Sequence, residues 1–138
     1  MRINIEELRK NIENIAQKHN LILALLFGSQ ARQKEGINSD VDIAVLGREP
    51  INFEKLVELT NEFSEIIKGK EIDVKSLHYP DPLFRYRVIK EGILLYGKSY
   101  DYYSFKAMVL RQFYESKDLL KLKEILVRKR VKGLISYD

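Results

Sequence analysis

Three aspartates lie inside segments that otherwise have the composition of β-strands. Asp40 and Asp42 alternate with apolar residues in the run 40–46 (DVDIAVL), and Asp73 does so in the run 71–75 (EIDVK). Aspartate is depleted in strands, so its presence in both runs indicates a function. Residues two apart in a strand share a face, which places Asp40 and Asp42 on one side of the sheet. If the two strands are neighbours, three carboxylates converge on one face.

Such a cluster predicts a site for a hard divalent cation. Like charges on neighbouring strands repel one another by up to about 1 kcal/mol per pair, which a bound cation relieves. The chain has no cysteine, and its two histidines, His19 and His78, are far apart in sequence. Oxygen ligands therefore remain, and these favour Mg²⁺ or Mn²⁺, with Mg²⁺ commonly bound by carboxylates together with substrate phosphates. The indicated chemistry is phosphoryl transfer.

A second motif supplies a place for the phosphates. The apolar run 21–27 (LILALLF) predicts a buried strand, and it ends at Gly28 and Ser29. Backbone N–H groups at such a turn can bind phosphate, with the Ser29 hydroxyl and the Arg32 guanidinium beside them. Each of these residues alone has an ordinary explanation as a turn or an exposed side chain. Their combination with the aspartates at this spacing indicates a nucleotide site.

Alternating helices and strands must position these residues. Apolar residues at helical spacing predict a helix that begins at the cap Asn4, a second from Phe53 to a cap at Gly69, and a short third helix over 83–90. Residues 92–97 predict a fourth, short strand, and one or two amphipathic helices follow from Tyr100.

The length of 138 residues and the charge distribution bound the possible classes of protein. One compact domain is expected, and without a signal peptide or an apolar run of roughly 20 residues we expect a cytoplasmic protein that is not bound to a membrane. Residues 100–138 contain nine basic and five acidic side chains, which is the whole net charge of +4. This excess suits a partner surface or an exposed helix face, and nucleic-acid binding is not expected to be the primary activity.

Residues 27–32 (FGSQAR) and 39–45 (SDVDIAV) resemble the signature of the DNA polymerase β-type nucleotidyltransferase superfamily, and specifically of its minimal nucleotidyltransferases. The resemblance extends over residues 20–97. It implies an α/β (α+β) fold with a small mixed β-sheet flanked by helices. It also implies two Mg²⁺ ions, with Mn²⁺ as an alternative, and transfer of a nucleoside monophosphate from a nucleoside triphosphate.

The resemblance also implies roles for individual residues. Glu71 shares the predicted face of Asp73 and is the alternative third acid. The implied catalytic and metal-binding residues are Asp40, Asp42 and Asp73, and the implied phosphate-binding residues are Gly28, Ser29 and Arg32.

Minimal enzymes of this size resemble the antitoxin of toxin–antitoxin modules whose toxin is a HEPN-type ribonuclease. This implies transfer of AMP from ATP to a tyrosine of that toxin. After a core over 1–97, only a helical extension over 98–138 remains, which we expect to pack on the core and to contact the partner. Two alternatives stay open: a small-molecule nucleotidyltransferase of the antibiotic-modifying type, and a binding antitoxin that neutralises its partner without catalysis.

Overall fold

The computed structural model describes residues 4–28 and 40–135. The described residues form four helices and four strands, in this order: α1 Ile5–Lys18, β1 Leu21–Phe27, β2 Val41–Gly47, α2 Phe53–Ile66, β3 Ile72–Ser76, α3 Pro82–Glu91, β4 Ile93–Tyr96 and α4 Ser99–Ile135.

The four strands form a mixed sheet in the order β3-β2-β1-β4. The β1 strand pairs antiparallel with both β2 and β4, whereas β2 pairs parallel with β3. A parallel pair requires a crossover connection, and α2 supplies it. The expected α/β (α+β) class with a small mixed sheet flanked by helices is confirmed.

Helices cover both faces of the sheet. On one face, α1 and α2 bury residues such as Ile12, Leu59 and Phe63 against the strands. On the other face, α3 and the first part of α4 bury Val88 and Val109. A strand covered on both sides is apolar along its whole length, which explains why the run of β1 does not alternate.

Most predicted boundaries hold within one or two residues. The run 21–27 forms β1 as predicted, and Asn4 caps α1 by accepting a hydrogen bond from the Glu7 N–H at 3.2 Å. The second helix ends earlier than predicted, because Ile67 leaves the helical conformation and buries its side chain in the core. Gly69 lies beyond that cap, in the turn before β3, with φ of +82°.

The C-terminal segment is a single helix of 37 residues, α4, rather than two. Its first turns pack on the sheet through Phe105 and Val109. Farther along, Leu119, Leu122 and Leu126 are exposed. None of the helices in the described ranges is both long and apolar enough to cross a membrane.

A polar cluster joins α1 to α2. Nε2 of the buried His19, the C-cap of α1, donates a hydrogen bond to Glu62 of α2, and the Lys18 ammonium donates to the other carboxylate oxygen. Burial alone would raise the pKa of Glu62, but the hydrogen bonds from Lys18 and His19 outweigh it and lower that pKa. The ionised carboxylate therefore stabilises the contact between the two helices.

We expect Glu62→Gln to lower the free energy of unfolding by about 1–2 kcal/mol, because it weakens the hydrogen bond that Glu62 accepts from a buried imidazole. Since the pKa of Glu62 is lowered in the folded state, this difference is present above about pH 4.3 and shrinks as the pH falls through the lowered pKa. Urea unfolding at several pH values measures it. Glu65→Gln, an exposed change on the same helix, serves as the control, and an equal loss in both variants would contradict the assignment.

Candidate active site

The pairing of β2 with both of its neighbours places three side chains in one row across the sheet. Asp42 is the register partner of Asp73 on β3 and of Phe27 on β1. Register partners share a face, so the two carboxylates lie side by side on adjacent strands. The predicted proximity of Asp42 and Asp73 is therefore present in the fold.

Alternation in β2 and β3 fixes which face carries the acids. Val41, Ile43 and Val45 are fully buried beneath α1 and α2, and Val74 of β3 joins them. The intervening residue Asp42 consequently points to the opposite face. Most of that face is covered by α3 and α4, so the acids occupy its uncovered end rather than a fully open surface.

The third predicted acid, Asp40, lies immediately before β2 and is exposed. In residues 4–28 and 40–135 no three acidic, histidine or cysteine side chains are close enough to form a ready metal site. The structure thus brings Asp42 and Asp73 together. Asp40 lies two residues before Asp42 in the sequence and outside the paired strands. Carboxylate oxygens are the only donors of this set, which fits a hard cation such as Mg²⁺.

Gly28 directly follows β1 and approaches the acid row closely. Its φ of +78° is a conformation that L side chains rarely adopt. A Cβ atom placed there would overlap Oδ2 of Asp42 and lie 3.2 Å from its Cγ. The position therefore requires glycine for two separate reasons, backbone conformation and lack of space beside a carboxylate.

The remaining predicted residues lie either outside the described residues or directly before β3. Ser29 and Arg32 lie outside the described residues. Glu71, the alternative third acid, is exposed and precedes β3, where its carbonyl accepts a hydrogen bond from the Val41 N–H at 2.8 Å. Of the two candidate third acids, Asp73 is the one in register with Asp42.

Lys75 follows Asp73 by two residues in β3 and therefore lies on the same face of the sheet. Its Nζ is 3.8 Å from Oδ2 of Asp73, and both side chains are 52% exposed. An exposed ion pair of this length contributes little to stability, typically below about 1 kcal/mol. Lys75 instead supplies a positive charge next to the acid row.

Arg85 is a positioning residue that no sequence pattern predicts. Arg85 of α3 donates hydrogen bonds to the Leu77 carbonyl at 2.9 Å, the His78 carbonyl at 3.2 Å and Oε1 of Gln112 in α4 at 3.0 Å. It therefore fixes the loop after β3 to both helices of that face. No local pattern marks it, because its partners are separated from it in sequence.

His78 has a structural role. Its Nε2 accepts a hydrogen bond from the Gly47 N–H at 3.0 Å. Burial, with the nearby positive charge of Arg85, lowers the pKa of His78 and keeps the ring neutral. The ring links the end of β2 to the loop after β3.

The chain is similar to known nucleotidyltransferases in sequence. Residues 10–101 match the family model described as Polymerase beta, Nucleotidyltransferase. A protein of Methanocaldococcus jannaschii named "Putative protein adenylyltransferase" is 36% identical over 91 residues, which cover 66% of this chain and 97% of that relative.

Two solved structures show the same fold. A chain of a crystal structure described as a toxin-antitoxin with AMP-PNP has a TM-score of 0.70 at 21% identity, covering 89% of this chain and 98% of its own. A chain of the tri-AMPylated Shewanella oneidensis HEPN toxin in complex with MNT antitoxin has a TM-score of 0.66 at 18% identity, with coverage of 93% and 99%. At these identities the likeness concerns the fold alone.

We expect Gly28→Ala to lower Mg-ATP affinity more than tenfold, because its methyl group would displace the Asp42 carboxylate. Gly69→Ala is the matched control: its φ of +82° imposes the same backbone strain, but nothing lies within 4 Å of the added Cβ. Strain alone should cost each variant about 1–2 kcal/mol of stability. Isothermal titration calorimetry compares them, and equal nucleotide affinity in both variants would contradict the placement of the nucleotide beside Gly28.

Proposed function

Because the chain belongs to the polymerase β nucleotidyltransferase family and is a nucleotidyltransferase, we propose that it transfers AMP from ATP to a tyrosine hydroxyl of a partner protein. The partner in this proposal is a HEPN-type ribonuclease toxin, and the chain is its antitoxin. The in-register pair of Asp42 and Asp73 beside Gly28 carries the proposal, since it combines cation ligands with a place for phosphate.

The comparisons support the acceptor class. The M. jannaschii relative, named as a protein adenylyltransferase, is matched over nearly its full length. The structural neighbours include an AMPylated HEPN toxin bound to its antitoxin and a complex with an ATP analogue.

Each site residue has a defined task in this proposal. Asp40, Asp42 and Asp73 would hold Mg²⁺, which when bound offsets charge on the triphosphate and lowers the pKa of the acceptor hydroxyl. The backbone at Gly28, with Ser29 and Arg32, would bind the β and γ phosphates. Asp73, which is half-exposed, would orient the acceptor hydroxyl and accept its proton.

The proposed transfer is a single displacement at the α phosphorus of ATP. The acceptor oxygen forms a bond to the α phosphorus, and the bond from that phosphorus to the bridging oxygen of the β phosphate breaks. Pyrophosphate leaves with the electron pair of the broken bond, and the acceptor proton passes through Asp73 to water. The residues of the chain contribute mainly by positioning the reactants and by electrostatic stabilisation.

We expect Asp42→Asn to reduce AMP transfer at least a thousandfold, because it removes a charged ligand next to Asp73. The fold should persist, with a melting temperature within a few degrees of wild type, since the register partner of Asp42 has the same charge. Transfer of radiolabelled AMP to the partner protein measures the activity. Glu58→Gln, an exposed acid on α2, is the control, and near-normal transfer by the Asp42 variant would refute the assignment.

The C-terminal extension over 98–138 is proposed as the partner-binding segment. Packing against the core is observed as far as Phe113, which stacks on Tyr86 with ring centroids 3.9 Å apart. Beyond it, α4 continues to Ile135, a length of roughly 30 Å at 1.5 Å per residue. This distal part exposes Leu119, Leu122 and Leu126 among many lysines and arginines. Exposed apolar residues rimmed by charge are typical of a protein interface.

Deletion of residues 117–138 should leave Mg-ATP affinity within about twofold of wild type, since the acid row and Gly28 lie elsewhere in the fold. Binding to the partner protein should fall at least tenfold, because the deletion removes exposed apolar contacts. Calorimetry with Mg-ATP and a pull-down with the partner measure the two effects. Unchanged partner binding by the truncated chain would move recognition to the core.

A further inference from the structure

The two edges of the sheet differ in how they are covered. At the β4 edge, Nε of Arg9 in α1 donates a hydrogen bond to the Leu94 carbonyl at 3.0 Å. At the other edge, no described strand pairs with β3 on its outer side. An edge of this kind presents backbone donors and acceptors to an incoming extended segment.

The pairing with β2 shows which residues face the outer edge of β3. The Val41 N–H donates to the Glu71 carbonyl, and the Leu77 N–H donates to the Val45 carbonyl, both at 2.8 Å. Residues 71, 73, 75 and 77 therefore direct their backbone groups toward β2. Ile72 and Val74, which alternate with them, direct theirs toward the outer edge.

A groove of about 480 Å³ runs along this outer edge. Leu56 of α2 lies on one side of it, and Phe84 of α3 lies on the other. Tyr79, in the loop between β3 and α3, also lines it and is 64% exposed. The groove thus combines an open strand edge with apolar and aromatic walls, which is the usual form of a site for an extended peptide.

The groove adjoins the acid row at two points. Lys75 lines the groove and also lies 3.8 Å from the Asp73 carboxylate. Phe84 lines it as well, and packs edge-to-face on Phe27 with ring centroids 5.8 Å apart. Phe27 is in turn the register partner of Asp42. A segment bound in the groove would therefore lie directly beside the acids.

We infer that this groove is the acceptor site, where a segment of the partner protein adds to β3 as a further strand and presents its tyrosine to Asp73. The inference rests on the proposed function, because it assumes a protein acceptor. The phenolic oxygen bonds to the α phosphorus of ATP, pyrophosphate leaves, and the phenolic proton passes to the Asp73 carboxylate.

The spacing of the strands explains why a tyrosine would be selected. Neighbouring strands lie about 4.8 Å apart, so Asp73 is one spacing and Asp42 two spacings from an added strand. The side chain paired with Asp73 on that strand would share its face. A serine hydroxyl would remain above the added strand, whereas a tyrosine hydroxyl reaches across β3 to the row formed by Asp42 and Asp73.

The strand addition is tested with synthetic peptides and amide NMR spectra of the full chain. The probe is an acetylated and amidated pentapeptide with a central tyrosine between two valines on each side, chosen because valine favours strands. At millimolar peptide, the amide signals of Ile72 and Val74 should shift, whereas those of Leu94 and Tyr96 at the β4 edge should not. A peptide N-methylated at the residues next to tyrosine should lose this effect.

Two variants test the groove in the transfer reaction. Tyr79→Ala should raise KM for the tyrosine peptide about tenfold, leave kcat within about twofold and leave Mg-ATP affinity unchanged. Phe53→Ala, which removes a 79% exposed aromatic side chain at the start of α2, is the matched control and should behave as wild type. The peptide with serine in place of tyrosine should accept at least tenfold less AMP.

The outcomes separate the two proposals. Two results would overturn the assignment of the groove as the acceptor site and leave the proposed function standing. One is labelling of the tyrosine peptide without amide shifts at Ile72 and Val74, and the other is an equal KM in both variants. Shifts at β3 without AMP transfer to peptide or partner would overturn the proposed function and the acceptor role while retaining a peptide site. Equal labelling of serine and tyrosine peptides would overturn the argument from reach.

Discussion

The candidate active site depends on the parallel register between β2 and β3, which places Asp42 beside Asp73. If β2 slipped by one residue, Asp42 would turn toward α1 and α2, and Val41, Ile43 and Val45 would be exposed. Burial of each such side chain stabilises the fold by roughly 1.5–3 kcal/mol, whereas repulsion between two facing acids costs up to about 1 kcal/mol. The apolar face therefore determines the register, and the acids remain together because their neighbours in the strand are buried.

Gly28 and Lys75 lie on opposite sides of the acid row. On one side, a Cβ atom added at Gly28 would overlap the Asp42 carboxylate. On the other side, the ammonium of Lys75 is 3.8 Å from Asp73 and too exposed to neutralise it fully. In the proposed function, Mg²⁺ and the triphosphate would bind between Gly28 and Asp73.

The sequence was informative where local alternation determines structure and uninformative where distant contacts do. The aspartates are visible in the sequence because alternation sets the two faces of a strand directly, and Gly28 is visible because it ends a continuous apolar run. The end of α2 differs from the prediction. The helix ends at Ile66, because burial of Ile67 in the core outweighs the preference of Gly69 for a helix end. Contacts such as that of Arg85 with Gln112, or His19 with Glu62, join residues far apart in sequence and leave no local pattern.

The direction from which an acceptor can approach follows from the packing of the acid face. Toward β1, Phe27 is packed against Phe84, and beyond it α3 and α4 bury the rest of the face. Toward β3, Asp73 and Lys75 are half-exposed and the strand edge is open among the described strands. Arg85 fixes the loop after β3, so this opening is bordered by a positioned backbone. In the proposed function, an acceptor that reaches Asp73 would therefore come over β3, the nucleotide phosphates would bind on the side of Gly28, and the two reactants would meet above Asp42.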